Sequence, residues 1–183
     1  MMPFSSPRML ASMFLGFLLP ALLITGAAFA AERVKVALSQ TRPLLWECVI
    51  DAAHKNGLPL AALVGILAAE GGEPGEAVSN ANGTWDMGPF QINTCHVNEL
   101  VDMGIAPETV LRDGCANAYA AAWLLRKEYK RTGNLWEAVG AYHSRTPKYR
   151  DAYIARVKEH LARLERMGLS SLPYGGRHYE SQR

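Results

Sequence analysis

The sequence has little net charge and no dense cluster of basic residues. Its 19 Lys and Arg residues nearly balance 17 Asp and Glu residues, and the formal net charge is +2. Proteins that bind nucleic acid usually show a basic patch, often with aromatic residues between the charges. Because no such pattern occurs along this chain, we expect no nucleic-acid partner.

Cysteine is also scarce, and its spacing does not fit a metal site. The three cysteines are Cys48, Cys95 and Cys115, and no Cys-x-x-Cys pair is present. The five histidines are scattered at positions 54, 96, 143, 160 and 178. A structural zinc site needs clustered ligands, so we expect neither a metal nor another cofactor.

The chain begins with a long segment that has almost no charge. Arg8 precedes an apolar stretch over residues 9–27, and Ala28-Phe29-Ala30 has the small-x-small form of a signal-peptidase site. An uncleaved anchor is the alternative, because the stretch is just long enough to span a bilayer. We predict a signal peptide over residues 1–30 and a periplasmic protein without a stable membrane anchor.

Export has a consequence for the cysteines. In an oxidising compartment we expect one disulfide, with one thiol left over. Closing a loop stabilises a fold by about 4 kcal/mol for Cys48–Cys115 and about 3 kcal/mol for Cys95–Cys115. The difference is too small to decide, so both pairings stay open on these grounds.

Beyond the signal peptide the sequence predicts one mainly α domain over residues 31–168, with no internal repeat or linker. A polar, Gly- and Ser-containing tail at 169–183 is predicted to be flexible. Residues 71–82 are rich in Gly, Pro, Ser and Asn and are predicted to be a loop, whereas 83–93 suits a short hairpin or irregular segment. Apolar periodicity and capping residues predict about six to seven helices, including 43–55, 59–70, 98–103, 115–129, 135–142 and 148–167.

One acidic residue, Glu70, ends a helix that is otherwise uncharged. Residues 59–69 are apolar on nearly every face, which is typical of a buried helix, and Gly71 and Gly72 follow. Apolar neighbours and the negative end of the helix dipole both disfavour an ionised carboxylate. We therefore expect a raised pKa for Glu70, which suits a general acid at neutral pH.

Two further motifs follow Glu70. Residues 86–93 read Asp-Met-Gly-Pro-Phe-Gln-Ile-Asn, and residues 141–147 read Ala-Tyr-His-Ser-Arg-Thr-Pro. With the acidic residue, these motifs resemble the lytic transglycosylases of the goose-lysozyme-like fold, over about residues 44–157. They are more narrowly similar to the small exported members that serve conjugation, secretion and pilus machines, in which Cys115 and Asn117 also have counterparts.

The resemblance implies a lysozyme-like domain that binds peptidoglycan glycan strands and cleaves the N-acetylmuramic acid to N-acetylglucosamine β-1,4 bond. In that family one Glu, here Glu70, acts as acid and then as base, and the muramic acid C6 hydroxyl attacks to give a 1,6-anhydro end. It also implies contacts with components of such a machine, and we expect a monomer. The implied substrate-binding residues are Phe90, Gln91, Asn93, Tyr142 and His143.

The chain departs from the family pattern at two places. Gly71 stands where family members usually have Ser, and Pro89-Phe90 replaces Leu-Met in a segment that is expected to line the glycan cleft. A poorly active wall-binding scaffold protein is therefore one alternative. A lysozyme-type hydrolase is another, with Asp86 as a second carboxylate, although the neighbouring turn residues also suit Asp86 to bonding backbone amides.

The resemblance also bears on the disulfide. The small secretion-type relatives carry cysteines at the positions of Cys48 and Cys115, whereas Cys95 looks like an addition. The resemblance therefore implies a Cys48–Cys115 disulfide and a free Cys95.

Overall fold

The computed structural model has a mainly helical fold with one small sheet. It describes residues 32–37 and 40–168, so the predicted signal peptide and flexible tail lie outside the described residues. The described helices are α1 (Trp46–Lys55), α2 (Leu60–Glu70), α3 (Val97–Asp102), α4 (Pro107–Arg112), α5 (Gly114–Thr132), α6 (Leu135–His143) and α7 (Pro147–Arg166). The strands are β1 (Arg33–Lys35), β2 (Glu76–Ser79), β3 (Trp85–Met87) and β4 (Ile92–Asn93), which form an antiparallel sheet in that order. The predicted mainly α class is confirmed, and no helix in this part of the chain has the length and hydropathy that crossing a membrane requires.

Helix α2 is the centre of the core because it has apolar residues on nearly every face. Its Leu63 is completely buried and its Ile66 is 1% exposed. Helices α1 and α7 pack against it. Burying one such side chain contributes about 1.5–3 kcal/mol, so the packing fixes the position of the α2 C-terminus.

A glycine brings α7 unusually close to α2. A Cβ atom at Gly65 would lie 2.7 Å from Cγ1 of Val157 and 3.1 Å from Cγ of Leu161. Atoms do not pack at 2.7 Å without displacement, so any larger residue at this position would push α7 away. The contact places the middle of α7 against the middle of α2.

The disulfide links Cys48 in α1 to Cys115 at the start of α5, with their Cα atoms 5.3 Å apart. Cys95 is a free, exposed cysteine. The structure therefore agrees with the pairing that the family resemblance implies. Because α1 and α5 also pack against each other, the bridge reinforces an existing helix contact.

The segment predicted as a loop over residues 71–82 contains strand β2, so that prediction is wrong in part. Glu76 and Ala77 of this strand are buried, at 2% and 8% exposure. The Glu76 carboxylate pairs with Arg33 and, at 3.5 Å, with Lys35. These ion pairs with β1 explain how an acidic residue can occupy a buried strand position.

The predicted hairpin near residues 83–93 is confirmed by β3 and β4, in which Asp86 lies opposite Asn93. Helix α4 was not predicted, and α1 begins at Trp46 rather than at residue 43. Leu45, just before α1, is extended with φ −92° and ψ 145°, and the backbone N–H of Arg42 donates to the carbonyl of Arg112 at 2.8 Å.

Buried Asn117 fixes the turn between β3 and β4. Its side-chain N–H groups donate to the carbonyl oxygens of Met87 and Val110 at 2.8 and 3.0 Å, and its Oδ1 accepts from the backbone N–H of Phe90 at 2.8 Å. Gly88 is required here, because its φ is +69° and a Cβ would lie 2.5 Å from Nδ2 of Asn117. The turn that leads to Gln91 is thus held from inside the protein.

Candidate active site

Glu70, at the end of α2, lines a cleft of about 410 Å³. The cleft lies between the end of α2, the β3–β4 hairpin and α6. Its lining residues are Glu70, Asn80, Asn82, Thr84, Asp86, Gln91, Ile92, Asn93, Cys95, His96, Leu124, Tyr142 and His143. All the predicted site residues except Phe90 therefore line one cavity.

Glu70 is the last residue of α2, as predicted. Gly71 ends the helix in the left-handed region with φ 60°, and its N–H donates to the carbonyl of Leu67 at 3.0 Å. Burial raises the pKa of Glu70 and the nearby charge of Asp86 raises it further, whereas Tyr153 and Arg156 lower it. The net direction is upward, which agrees with the expectation from the sequence.

Tyr153 of α7 is the direct partner of Glu70. Its hydroxyl donates a hydrogen bond to Glu70 Oε1 at 2.6 Å. The Tyr153 ring is stacked against the imidazole of His143, with centroids 4.7 Å apart and planes 4° apart, and the Arg156 guanidinium lies 4.9 Å from the same ring. The sequence pattern placed Tyr153 on the buried stripe of α7 but gave no sign of this bond, because its partner is 83 residues away.

Asp86 is held by amide groups on both of its oxygens. Asn80 Nδ2 donates to Asp86 Oδ2 at 2.9 Å, and Asn93 Nδ2 donates to Oδ1 at 2.7 Å. Both neighbours are donors, so each Asp86 oxygen has an amide partner. Asp86 also lines the same cleft as Glu70. Its immediate surroundings there are polar amide groups.

Asn93 is committed to the hairpin more than the sequence suggested. Its Nδ2 also donates to Thr84 Oγ1 at 2.9 Å, and its Oδ1 accepts from the Cys95 N–H at 2.9 Å. Both amide protons thus have protein partners. One lone pair of Oδ1 is what remains for a ligand in the cleft.

Gln91 has an uncommon backbone conformation for a residue with a side chain. Its φ is 49°, in the left-handed region, and its Nε2 donates to the carbonyl of Gly88 at 2.8 Å. No partner of its amide oxygen occurs among the described residues. A residue with a backbone strained in this way is typical of a functional site, so Gln91 remains a candidate ligand for a sugar.

The prediction that Phe90 contacts sugar is wrong. Its side chain is 0% exposed and belongs to the hydrophobic core, and Pro89 is also buried. The backbone N–H of Phe90 is held by Asn117 Oδ1 at 2.8 Å, and its ring packs in the core instead of the cleft. Neither residue of the Pro89-Phe90 departure lines the cleft.

Tyr142 lines the cleft, but its hydroxyl does not bond Glu70. It donates to the carbonyl oxygen of Phe90 at 2.8 Å, which adds a second tie on the hairpin turn. His143 also lines the cleft, and burial and the charge of Arg156 lower its pKa. Its contact with Tyr153 connects His143 to Glu70 indirectly.

Beyond His143 the cleft continues into a charged end of about 370 Å³. Glu128, only 6% exposed, pairs there with Arg145 at 2.6 Å and with Arg131 at 2.7 Å. Lys127 pairs with Glu99 at 2.5 Å. Across the described residues, no group of three or more His, Cys, Asp or Glu side chains is arranged to hold a metal ion.

Comparison with known proteins gives relatives of moderate identity. "Invasion protein IagB" of Salmonella typhi is 36% identical over 99 residues, which are 52% of this chain and 62% of the relative. "Protein IpgF" of Shigella flexneri is 36% identical over 101 residues, 55% of this chain and 66% of the relative. "X polypeptide" of Escherichia coli is 44% identical over 57 residues, 31% of this chain and 34% of the relative. The chain thus matches less than two thirds of the length of these proteins.

The family comparison covers more of the chain. The model of the transglycosylase SLT domain matches residues 47–159, a range that includes Glu70, Asp86, Tyr142 and Tyr153. More than half of the chain is matched, and the recognised motifs fall inside the match. The chain belongs to the transglycosylase SLT domain family.

Proposed function

We propose that this protein is a peptidoglycan lytic transglycosylase. It cleaves the β-1,4 bond between N-acetylmuramic acid and N-acetylglucosamine and leaves 1,6-anhydromuramic ends. The observation that carries the proposal is Glu70, a partly buried carboxyl of raised pKa in a cleft that is large enough for sugar rings. Membership of the SLT family supports the substrate class.

The proposed reaction uses Glu70 twice. Because Tyr153 donates to Oε1, the other oxygen, Oε2, holds the proton of the neutral acid. Glu70 passes this proton to the leaving glycosidic oxygen as positive charge develops at the muramic C1. The ionised Glu70 then takes the proton of the C6 hydroxyl while the C6 oxygen bonds to C1, so the acid is regenerated and no water is consumed.

The remaining cleft residues have supporting roles in this proposal. Gln91 offers its amide oxygen to a sugar hydroxyl or N-acetyl N–H, and Asn93 offers one lone pair. Tyr142 and His143 form the wall of the cleft that belongs to α6, beside the sugar. The Tyr153 hydroxyl stabilises ionised Glu70 in the second half of the reaction.

We place this activity in the periplasm, where it opens the wall locally during assembly of a secretion, conjugation or pilus machine. Three observations support this setting. The N-terminal segment has the form of a signal peptide, the disulfide suits an oxidising compartment, and one relative bears the name "Invasion protein IagB".

The products test the proposal directly. Incubating the protein with purified sacculi should release muropeptides with 1,6-anhydromuramic ends, which mass spectrometry separates from hydrolysed ends because they lack one water. Sacculus binding without any released muropeptide would instead support the wall-binding scaffold. Reducing ends without anhydro species would support hydrolysis.

A lysozyme-type hydrolase is the second candidate, and the environment of Asp86 favours it. Asp86 lines the same cleft as Glu70, and its negative charge raises the pKa of Glu70. A buried acid opposite a carboxylate in polar surroundings is the arrangement by which two carboxyl groups divide the roles of acid and charge stabiliser. In that mechanism water replaces the C6 hydroxyl.

Variants at Asp86 separate the two candidates. Asp86→Asn removes the charge, whereas Asn80→Ala removes one hydrogen bond to Asp86 and keeps the charge. For the transglycosylase we expect both variants to lose about tenfold in rate through disturbance of the hairpin. For the hydrolase, Asp86→Asn should be nearly as damaging as loss of Glu70, while Asn80→Ala should not.

The role of Tyr153 predicts a change in pH dependence. Its hydrogen bond lowers the pKa of Glu70, so Tyr153→Phe should raise that pKa and move the alkaline limb of the rate profile to higher pH. The maximal rate should fall about tenfold because ionised Glu70 loses a donor. Tyr149→Phe on the exposed face of α7 is the matched control. An alkaline limb that stays in place, or moves to lower pH, would contradict this role.

A further inference from the structure

A second concave surface lies outside the cleft, between the end of α1 and one face of α5. It has a volume of about 680 Å³, which exceeds that of the cleft around Glu70. We call it the basic groove, and it is lined by His54, Lys55, Asn56, Gly57, Trp123, Arg126, Lys127 and Lys130. None of these described lining residues is acidic, although the whole chain is nearly neutral.

The helical repeat explains the concentration of charge. Positions 123, 126, 127 and 130 are three, four and seven residues apart, so their side chains share one face of α5. The α1 C-terminus adds Lys55 and ends at the Asn56-Gly57 turn. The groove is not predictable from the sequence, because the two segments that supply its basic residues are about seventy residues apart and neither is densely charged.

The cations of the groove differ in how far they are neutralised. Lys55 pairs with Asp51 at 2.8 Å, and Lys127 pairs with Glu99 and lies 5.4 Å from the Trp123 ring centroid. Arg126 and Lys130 have no carboxylate partner in the described part of the chain. These two charges are thus available to an anionic ligand.

The groove adjoins the active-site cleft. Lys127 lines both the groove and the charged end of the cleft, and that end shares Cys95, His96, Tyr142 and His143 with the cavity around Glu70. The charged end of the cleft and the groove therefore meet at Lys127. This continuity makes the substrate itself the closest candidate occupant.

We propose that the basic groove receives the carboxylate-bearing peptide stem of the glycan strand that lies in the cleft. The inference rests on the proposed function. N-acetylated sugars of the strand are uncharged, so the stem peptides supply the anionic groups that complement Arg126 and Lys130. The half-buried Trp123 ring supplies an apolar surface for the methyl groups and backbone of a short peptide.

The number of charges removed determines how much the binding of strands should weaken. Exposed ion pairs are individually weak and are screened by salt, so loss of two cations should weaken binding roughly 3- to 10-fold. The same charges should make the binding of peptide-bearing strands decrease as salt rises. The binding of strands without peptides should depend neither on these two cations nor on the salt concentration.

The test compares two substrates and two double variants. Binding is measured in the Glu70→Gln background, so that strands stay intact and the result does not depend on turnover. One double variant is Arg126→Ala with Lys130→Ala, and the control is Arg163→Ala with Arg166→Ala on the exposed face of α7, which removes the same charge. The ligands are soluble glycan strands with peptide stems and the same strands after an amidase has removed the stems.

We expect the groove variant to bind peptide-bearing strands roughly 3- to 10-fold more weakly than the control variant, with denuded strands unaffected. Equal weakening for both strand types would overturn the proposal, as would no weakening. Binding to vesicles of anionic phospholipid, or to an acidic partner protein, that is lost in the groove variant while strand binding is unchanged would also overturn it. If wild-type protein releases no muropeptides but strand binding behaves as expected, the proposed function fails and the groove assignment stands.

Discussion

Glu70→Gln should reduce the release of muropeptides by roughly 10²- to 10⁴-fold, the usual contribution of a general acid. Glutamine has the same shape and keeps an acceptor for the Tyr153 hydroxyl, but it has no proton of suitable acidity for the leaving oxygen. Glu73→Gln, an exposed change just beyond the α2 C-terminus, is the matched control. Activity of Glu70→Gln within a few-fold of wild type would refute the assignment of the acid.

The same carboxyl should limit activity at high pH and affect stability. Burial raises the pKa of folded Glu70 above its unfolded value, so its ionisation opposes folding as pH rises through the window between those two values. Glu70→Gln lacks that penalty. Its melting temperature should equal or exceed that of wild type at pH 7, and the difference should vanish below about pH 4. A variant that is clearly less stable at pH 7 would contradict the account.

Loss of the disulfide should have the largest effect on stability. Cys48 and Cys115 are 67 residues apart, and closing a loop of that size contributes about 4 kcal/mol. Replacing both with Ala should lower the melting temperature by roughly 10–15 °C. Cys95→Ala is the control, because Cys95 is free and exposed, and it should change the melting temperature by less than about 2 °C.

Reduction of the wild-type protein should produce the same shift as the double replacement, and activity should fall because α1 is no longer tied to α5. Peptide mapping without reductant identifies the bridge directly. A disulfide peptide that contains Cys95 would refute the pairing. A melting temperature that is unchanged after complete reduction would show that helix packing alone supports the fold.

Much of the helical architecture follows from local signals in the sequence. Gly71 ends α2 as predicted, and Asn134 caps α6 by accepting from the Glu137 N–H at 3.1 Å. Helices α3 and α4 have six residues each, too few for a clear periodicity, and only α3 was predicted. Strand β2 escaped prediction because its neighbours are turn residues and its buried Glu76 depends on basic residues of β1, which lie more than forty positions earlier.

The site was partly predictable for the same reason. Glu70 and its raised pKa follow from the apolar helix that it ends, which is a local property. The hydroxyl of Tyr153 and the burial of Phe90 depend on contacts between distant segments, which no local pattern contains. The position of Phe90 in the family motif gives no sign that its side chain is buried in the core.

The close contact at Gly65 has a consequence for the order in which the protein matures. Glu70 belongs to α2, but its hydrogen-bond partner Tyr153 lies on α7, and α7 packs directly against α2 at Gly65, where no side chain intervenes. A chain emerging from the ribosome is synthesised from its N-terminus, so the acid is made well before its partner. A nascent chain, or one truncated before α7, would have its acid without the tyrosine, so the Glu70–Tyr153 pair can form only after α7 has been synthesised.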